Sequence, residues 1–462
     1  MKKLKNLIDT DYDIDVYGIC EDSRSVKKGY IFVATKGYNV DHFDYIDDAI
    51  SNGAVFLVVD REIDLSFPHI VVDNIHSFYI ELCRKFYDID INKLKLIGIT
   101  GTDGKTTTTT IIHRLMDNCC YIGTNGLQIN DLVMNTSNTT PCIAELYNDL
   151  SIAIQNGAES VSMEVSSEAL LHKRVDGLKF DIVGFTNITG DHLNVHKSMD
   201  NYISCKKSLL DYVKKDGLVF VNGDDDNLKT ISCDNLITFG FNDYNDYVIC
   251  DVVKNNKFTK IFVKGNNNVY ELNSPLFGLY NVYNVVMAFL ICLHLGVSYE
   301  ILVEKIKKLT PVSGRCEFLD FGQDYSIVLD YAHTINGIKN ILKSFKDYNR
   351  IITVTGCAGG REHEKRSVIG DIVMSNSDIS IFTMDDPRYE DVNDIIDEMV
   401  GSNKDYIRIV NREDAICYAL SIAGSGDVVL ILGKGRDNYM AIEDKKVSYS
   451  DYEVVKKYFK KD

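Results

Sequence analysis

The chain has 462 residues, enough for roughly two to four domains, and its 45% hydrophobic and 25% charged residues are ordinary for a globular protein. The formal net charge of -17 argues against a nucleic-acid-binding protein, because no overall positive charge is present to neutralise phosphates. No apolar run approaches about 20 residues and no secretory signal is recognisable, so we expect a cytoplasmic protein without a membrane span.

The first stretch of the chain alternates short β-like runs with helical patterns. Residues 30–34, 55–59 and 69–72 are strand candidates, and residues 43–52 and 77–87 have helical spacing. Such alternation is typical of α/β domains with largely parallel sheets. We therefore expect a small α/β domain over residues 1–92.

A second domain is expected over residues 93–312. It begins with an apolar run at residues 94–100, a Gly/Thr loop and a helical pattern at residues 107–116. Further strand candidates are residues 160–165, 181–187 and 218–222, and a core-like helix is expected at residues 283–295. The Asn-rich residues 242–268 predict turns and short antiparallel strands, and residues 309–314 read as a linker.

The third domain, residues 313–462, contains four strand candidates that each lead directly into a polar loop. The strands are residues 326–330, 350–355, 378–384 and 427–432, and the loops begin at Tyr331, Gly356, Asp385 and Gly433. Ligands of open parallel sheets bind at the carboxyl ends of the strands. The four loops therefore predict one shared crevice.

The segment Gly101–Thr106, with the sequence GTDGKT, predicts a phosphate-binding loop. Strand, loop and helix follow in the right order, and the glycines let backbone N–H groups face an anion at a helix N-terminus. Lys105 would reach the β- and γ-phosphates of ATP, and the Thr106 hydroxyl would bind Mg²⁺. The spacing is shorter than the usual Walker form, since Ile99 stands where a glycine is usual. The alternative is a glycine-rich turn that precedes Lys-Thr by chance.

Three further residues gain meaning from their order behind this loop. Glu164 follows a strand and offers a hard oxygen ligand for Mg²⁺, and His192 and Lys206 come later. Each alone is ordinary: a solvated acid, a structural histidine, a surface lysine. The order of phosphate loop, acid, histidine and lysine is what suggests a joint function.

Ten motifs in the chain resemble those of the Mur ligases, specifically the MurE-type branch, the UDP-N-acetylmuramoyl-tripeptide synthetases. The resemblance covers nearly the whole chain and rests on DSRSVKKGYIFVATKG from Asp22, GITGTDGKTTTT from Gly98, NTTP from Asn138, MEVSSEALLHKRVDGLKFD from Met163, TNITGDHLNVH from Thr186, LFGLYNVYNVVMA from Leu276, PVSGRCE from Pro311, LDYAHT from Leu329, DDPRYED from Asp385 and GKGRDNY from Gly433.

The resemblance implies an α/β fold of three domains, with a central P-loop ATP-binding parallel-sheet domain and a Rossmann-like C-terminal domain. It also implies an ATP-dependent, ADP-forming ligase of peptidoglycan precursor synthesis. Such an enzyme phosphorylates a carboxylate of UDP-N-acetylmuramoyl-L-alanyl-D-glutamate, and the amine of a free amino acid then attacks the acyl phosphate. Both substrates are small molecules, and we expect a monomer.

The resemblance further implies which residues form the site. The ATP-binding positions are Gly101, Thr102, Asp103, Gly104, Lys105, Thr106, Thr107, Asn281, Asn284, Arg315, Asp330 and His333. The catalytic positions are Lys105, Glu164, His192 and Lys206, and the ligands of two Mg²⁺ ions are Thr106, Glu164, His192 and Lys206. Lys206 would serve as a carbamate, an anion that holds the second magnesium.

Two groups of positions correspond to substrate contacts. The UDP-muramoyl dipeptide would be held by Ser23, Arg24, Thr139, Thr140, Ser166 and Arg174, and the added amino acid by Arg361, Asp386, Arg388, Gly433 and Asp437. The chain departs from the family pattern at Asp103 (usually Asn), Gly190 (Arg), Asn194 (Asp), Asn336 (Asp), Asp386 (Asn) and Asp437 (Glu).

The added amino acid is the open question. Arg388 favours meso-diaminopimelate, because a guanidinium can pair bidentately with its distal carboxylate, which lysine lacks. Asp386 adds a negative charge that suits an ammonium and so favours lysine. A paralogous ligase for another carboxylate and amine, and a non-catalytic nucleotide-binding regulator, are the remaining alternatives.

Overall fold

The computed structural model describes residues 1–36, 41–191, 193–254 and 258–460. Its chain divides into two compact units. The first comprises Met1–Thr100, Met116–Gly184 and Cys205–Val219, and the second comprises Gly101–Leu115, Phe185–Ser204 and Phe220–Asp462.

The N-terminal part of the first unit is a small α/β layer. Its elements are β1 (Lys2–Lys3), β2 (Asp15–Val16), β3 (Gly18–Cys20), β4 (Tyr30–Val33), α1 (Ile46–Ser51), β5 (Ala54–Val59), β6 (His69–Val71) and α2 (Ile75–Tyr87). Strands β3, β4, β5 and β6 pair in this order and are parallel. A core that includes Phe32, Leu57 and Val59 explains the apolar runs of the sequence.

The next elements cover residues 95–306. They are β7 (Lys95–Thr100), α3 (Lys105–Leu115), β8 (Cys119–Gly123), β9 (Gly126–Ile129), β10 (Leu132–Met134), α4 (Ile143–Gln155), β11 (Ser160–Glu164), α5 (Ser167–Leu171), β12 (Phe180–Phe185), α6 (Leu193–His196), α7 (Met199–Lys207), β13 (Val213–Asn222), β14 (Leu236–Gly240), β15 (Tyr247–Lys254), β16 (Thr259–Gly265), β17 (Asn268–Ser274), α8 (Leu279–His294) and α9 (Tyr299–Ile306).

In the first unit the strand order is β10-β9-β8-β11-β7-β12, with β8, β11 and β7 parallel. Strands β8, β9 and β10 form antiparallel pairs that the sequence did not indicate. In the second unit β14 and β15 are parallel, whereas β15, β16 and β17 are antiparallel. The antiparallel strands predicted at residues 242–268 are therefore confirmed where the structure describes them. Overall the strand pairing is mixed rather than wholly parallel.

The C-terminal part of the second unit is a six-stranded sheet with helices. Its elements are β18 (Glu317–Leu319), β19 (Ser326–Asp330), α10 (Ile335–Ser344), β20 (Ile351–Thr355), α11 (Glu364–Asn376), β21 (Ile379–Phe382), α12 (Val392–Val400), β22 (Ile407–Arg408), α13 (Arg412–Ile422), β23 (Val428–Leu432), β24 (Tyr439–Ile442), β25 (Lys445–Ser448) and α14 (Asp451–Phe459). Strand β24 pairs with β25 in a separate hairpin.

This sheet brings four strand ends together. The order is β18-β19-β23-β20-β21-β22, and all pairs except β18 with β19 are parallel. Two apolar clusters cover its strands, one containing Val328 and Leu430, the other Ile327 and Val429. Burial on both faces explains why these strands are continuous apolar runs in the sequence.

Element boundaries shift by a few residues from those expected. The helix expected from residue 43 begins at Ile46, because Asp41 caps a separate 3₁₀ turn, His42–Tyr45, by accepting from the Phe43 N–H. Among the residues that the structure covers, no helix combines the length and apolar character needed to span a membrane.

Candidate active site

The predicted phosphate-binding loop, here called the nucleotide loop, spans residues 101–104 and connects β7 to α3 in a tight turn. Gly104 has a φ of 85°, and a Cβ there would lie 2.5 Å from Asn284 Oδ1, so the position requires glycine. Lys105 donates from Nζ to the carbonyl oxygens of Gly101 and Thr102, each at 2.9 Å. These bonds hold the lysine across the loop, at the N-terminus of α3.

Asn187 fixes the loop from the segment after β12. Its carbonyl oxygen accepts from the Thr102 N–H at 2.8 Å, and its Oδ1 accepts from the Asp103 N–H at 2.9 Å. Its Nδ2 donates to the Asp103 carbonyl at 3.0 Å, and Thr186 Oγ1 donates to the same oxygen at 2.6 Å. Sequence reasoning did not single out Asn187, although it lies within the TNITG motif.

A cavity of about 290 Å³ opens beside this loop, within the second unit. Six of the expected ATP-binding residues line it: Asp103, Gly104, Thr107, Asn284, Arg315 and Asp330. Its apolar and aromatic wall consists of Phe239, Leu279, Tyr280, Tyr283 and Met287. A polar phosphate end next to an aromatic wall fits a nucleotide.

Six expected ATP-binding residues do not line this cavity: Gly101, Thr102, Lys105 and Thr106 belong to the adjoining loop and the start of α3, and Asn281 and His333 lie elsewhere. Asn281 stands behind Asn284, whose Nδ2 donates to Asn281 Oδ1 at 3.0 Å, and Asn281 itself donates to the Phe277 carbonyl at 2.7 Å. His333 lines a second cavity, where its Nδ1 lies 2.8 Å from the Tyr331 carbonyl oxygen. Asn281 therefore acts on the nucleotide cavity through Asn284.

Charged groups around the nucleotide cavity are held by hydrogen bonds. Arg315 donates from Nη2 to Thr106 Oγ1 at 3.3 Å and stacks on the Tyr331 ring. Asp330 accepts from the N–H groups of Cys316 and Ala332, at 2.6 and 2.7 Å. Burial raises the pKa of Asp330, and the nearby Arg315 charge opposes this rise.

Asp103, which departs from the family asparagine, contacts the C-terminal domain. Thr334 Oγ1 lies 3.1 and 3.2 Å from its two carboxylate oxygens and donates to them. Burial raises the pKa of Asp103, while the charges of His333 and Lys105 lower it.

Glu164 ends β11 in the first unit and is fully buried. Its Oε1 accepts from the Tyr121 hydroxyl at 2.7 Å and from the Thr124 N–H at 2.9 Å. The two donors fix the orientation of this side chain, whose carboxylate oxygens are of the type that binds magnesium.

Several residues expected to hold the UDP substrate surround the end of the same strand. Thr140 Oγ1 donates to the Glu164 carbonyl at 2.8 Å and accepts from the Ser166 N–H at 3.0 Å. Arg174 Nη1 donates to the Thr140 carbonyl at 3.1 Å, and Thr139 Oγ1 lies 3.1 Å from Thr124 Oγ1. Thr139, Thr140, Ser166 and Arg174 therefore form one polar cluster with Glu164.

The remaining expected positions of the first unit are placed separately. Ser23 and Arg24 lie in a 3₁₀ turn after β3, where the exposed Arg24 pairs with Asp22 at 2.7 Å. Lys206, near the end of α7, is 1% exposed. His192 lies outside the described residues.

The structure describes three of the four expected magnesium ligands, Thr106, Glu164 and Lys206. Across residues 1–36, 41–191, 193–254 and 258–460, no group of three or more His, Cys, Asp or Glu side chains is arranged to hold a metal ion. The expected ligands fit the ion by their chemistry, since the Glu164 carboxylate and the Thr106 hydroxyl are oxygen donors. Lys206 fits only as a carbamate.

A second cavity of about 120 Å³ lies at the carboxyl ends of the C-terminal strands. All four polar loops contribute to it, as the sequence pattern predicts, through Tyr331, His333, Gly356, Cys357, Ala358, Arg361, Asp385, Asp386, Arg388, Gly433 and Asp437. Asp191, Asn194, Glu362 and Lys365 also line it and were not predicted. All five positions expected to hold the added amino acid are therefore together.

Charge in this cavity is mixed. Gly433 has a φ of 112°, and a Cβ there would lie 2.2 Å from Asp385 Oδ2, so glycine makes room for that carboxylate. Burial raises the pKa of Asp437 to about 6, against the lowering effect of Lys434. Arg361 and Arg388 supply cations on the same lining. The cavity can therefore receive a ligand that carries both ammonium and carboxylate groups.

Three segments of the chain match known protein families. Residues 15–85 match the model of the Mur ligase family catalytic domain, residues 99–292 the Mur ligase middle domain, and residues 314–435 the Mur ligase glutamate ligase domain. A UDP-N-acetylmuramoyl-L-alanyl-D-glutamate–2,6-diaminopimelate ligase of Caldanaerobacter subterraneus is 34% identical, over 99% of this chain and 97% of that protein.

The chain belongs to the Mur ligase family.

Other relatives agree. A ligase of the same description from Fusobacterium nucleatum is 35% identical over 98% of this chain and 96% of its own length. A solved structure of such a diaminopimelate ligase is 26% identical, with a TM-score of 0.66 and coverage of 99% and 98%. The MurF ligase of Thermotoga maritima, solved with ADP, shares the fold at 19% identity, with a TM-score of 0.67 over 90% of this chain and 93% of its own.

These likenesses confirm the expected fold class, the three-domain α/β fold of the Mur ligases. The family consists of ATP-dependent ligases, so the expectation of an enzyme, rather than a non-catalytic regulator, is also confirmed.

Proposed function

We propose that this Mur ligase joins meso-diaminopimelate to UDP-N-acetylmuramoyl-L-alanyl-D-glutamate, with ATP converted to ADP and phosphate. The observation that carries the proposal is the second cavity, where Arg361 and Arg388 stand with Asp437 at the ends of four parallel strands. A diaminopimelate has two carboxylates and two amines, and such a cavity offers partners for both. The relatives named for this reaction, at 34 and 35% identity, support the assignment.

The reaction proceeds in two steps. The glutamate carboxylate of the nucleotide attacks the γ-phosphorus of ATP, which forms an acyl phosphate and releases ADP. The free amine of the amino acid then attacks the acyl carbon, and phosphate leaves as the amide forms. Positioning and charge stabilisation supply most of such catalysis.

We assign the parts of this chain as follows. Arg315 lines the nucleotide cavity and Lys105 stands at the end of the adjoining loop, both stabilise phosphate charge, and the aromatic wall holds the base. Thr139, Thr140, Ser166 and Arg174, with Ser23 and Arg24, hold the UDP substrate. Thr106, Glu164, His192 and carbamylated Lys206 would hold two magnesium ions, which neutralise phosphate charge when bound.

We also propose domain boundaries at residues 1–92, 93–312 and 313–462. The three family matches at residues 15–85, 99–292 and 314–435 each fall inside one of these segments and support them. A cytoplasmic monomer is part of the proposal, since ATP and UDP-linked precursors are cytoplasmic compounds. Light scattering of the purified protein tests the monomer.

The competing amino acid is lysine, because the added negative charge of Asp386 in the second cavity suits an ammonium. The test is phosphate release from ATP by the purified protein with UDP-N-acetylmuramoyl-L-alanyl-D-glutamate and a panel of meso-diaminopimelate, lysine and ornithine. We expect release only when both substrates are present, with diaminopimelate preferred. Preference for lysine would replace the assignment, and no turnover with any amine would indicate a paralogous ligase.

A further inference from the structure

The loop that carries Arg388 has an unusual backbone. Asp386 has a φ of 40° and Arg388 a φ of 52°, so two residues with side chains adopt the left-handed region within three positions. Residues with a Cβ are strained in this conformation, because the Cβ crowds the neighbouring carbonyl oxygen. The loop holds this conformation only if its surroundings fix it.

Backbone contacts fix one side of the loop. The Arg388 N–H donates to the Ala441 carbonyl at 3.1 Å, and the Glu443 N–H donates to the Arg388 carbonyl at 2.9 Å. On the other side, the Gly359 N–H donates to the Asp386 carbonyl at 3.1 Å, and Arg388 Nη1 donates to the Gly359 carbonyl at 3.3 Å. The direction of the Arg388 guanidinium therefore depends on the conformation of this loop.

A buried ion pair fixes the loop from within. Asp386 Oδ1 accepts from Lys434 Nζ at 2.8 Å and from the Ala441 N–H at 2.9 Å. Lys434 is 1% exposed, and its Nζ lies 3.6 Å from Asp437 Oδ2. Charge that is removed from water in this way is stable only while it is paired.

We propose that Lys434 is a positioning residue, which pairs with Asp386 to hold the left-handed loop and thereby directs Arg388 at the distal carboxylate of the amino acid. The negative charge of Asp386 is then neutralised inside the protein and does not bind the substrate ammonium. The ammonium is left to Asp437, which lines the cavity. This inference rests on the proposed function, because it assumes an amino acid with a distal carboxylate.

Steady-state kinetics of four variants test the inference, with thermal unfolding measured alongside. Lys434→Met removes the cation, and we expect the KM for diaminopimelate to rise about tenfold or more, while the KM for ATP stays within about twofold. Asp386→Asn keeps the acceptor for the Ala441 N–H but leaves Lys434 only the Asp437 carboxylate, 3.6 Å away, as its counter-ion, so we expect a smaller rise in this KM, of about threefold. The double variant should recover most of the loss, because an asparagine needs no counter-ion.

Lys446→Met is the matched control. Lys446 is exposed and lies over the same Tyr439 ring as Lys434, 4.3 Å from the ring centroid. In the described part of the chain, Lys446 contacts neither Asp386 nor Asp437. Its substitution should leave both KM values unchanged.

Three outcomes contradict the inference. A tenfold loss in Asp386→Asn with no recovery in the double variant would mean that Asp386 binds the substrate itself. Equal loss for ATP and diaminopimelate in Lys434→Met would indicate a merely structural lysine, as would an unchanged KM for diaminopimelate. If Lys434→Met does not fold, Asp386→Asn and the double variant still decide. Failure of the proposed function is separate, because the wild-type protein would then show no diaminopimelate-dependent phosphate release.

Discussion

At the scale of single residues, the most unusual groups are charged side chains removed from water. Glu164 is fully buried beside hydroxyl and N–H donors, and Lys206 is 1% exposed. A buried lysine is rare unless it is paired or chemically altered. The carbamate proposed for Lys206 would replace this buried cation with an anion.

We expect Lys206→Ala to lower the rate of phosphate release by about a hundredfold or more, because the carbamate oxygens proposed to hold magnesium would be lost. A short-chain carboxylate such as acetate should restore part of the activity by replacing the lost anion. The adjacent Lys207→Ala is the control and should remain active. Full activity of Lys206→Ala, without added carboxylate, would refute the carbamate.

At the scale of elements, helix α10 links the C-terminal domain to the nucleotide loop. Thr334 caps this helix by accepting from the Gly337 N–H at 2.9 Å, and the same hydroxyl donates to Asp103. One side chain therefore supports both a helix terminus and a residue of the nucleotide cavity.

Thr334→Val should reduce the free energy of unfolding by about 1 kcal/mol through the lost cap. It should also raise the KM for ATP about threefold, because the partly buried Asp103 loses the Thr334 hydroxyl as a donor. Ser298→Ala is the control, since Ser298 caps α9 through the Ile301 N–H and does not line the nucleotide cavity. Equal effects of both variants on the KM for ATP would mean that this KM depends on helix stability alone and not on the contact with Asp103. Denaturant unfolding measures the free energy of unfolding of each variant.

At the scale of the whole molecule, the stability of the fold should depend on pH through Asp149. This residue of α4 is 4% exposed, and its Oδ2 has no hydrogen-bond partner in the described part of the chain. Burial, followed by the charge of Glu145, raises the pKa of Asp149 to about 8. The folded state then binds one more proton than the unfolded state between about pH 4 and pH 8.

The sign of the effect follows from this difference. Stability falls as the pH rises through that window, because the unfolded chain ionises Asp149 before the folded chain does. Asp149→Asn removes this pH-dependent contribution to stability. The free energy of unfolding of the variant, minus that of the wild type, should therefore increase by roughly 1 kcal/mol per pH unit from pH 5 to pH 7. Urea unfolding at several pH values measures this, with exposed Asp131→Asn as the control. Parallel curves for wild type and Asp149→Asn would contradict the raised pKa.

The sequence by itself determined the class of fold, six of the residues that line the nucleotide cavity, and all five positions expected for the added amino acid, which line the second cavity. Strands such as Ser326–Asp330 are continuous apolar runs because both faces of a parallel sheet are buried, and their polar loops mark the sheet edge where a ligand binds. The sequence also shows glycines in the loops at positions where the structure accommodates no side chain, such as Gly104 and Gly433.

Only the tertiary structure decided which groups meet across long separations in the chain. Asn187 holds the nucleotide loop from 84 positions away, and Lys434 reaches Asp386 across 48. The sequence shows Asp386 as an added charge with two opposite meanings, a ligand for ammonium or an internal acceptor. Its partner is fixed by the loops that the parallel sheet brings together, because the pairing of a buried charge depends on what lies beside it in space and not on its neighbours in the chain.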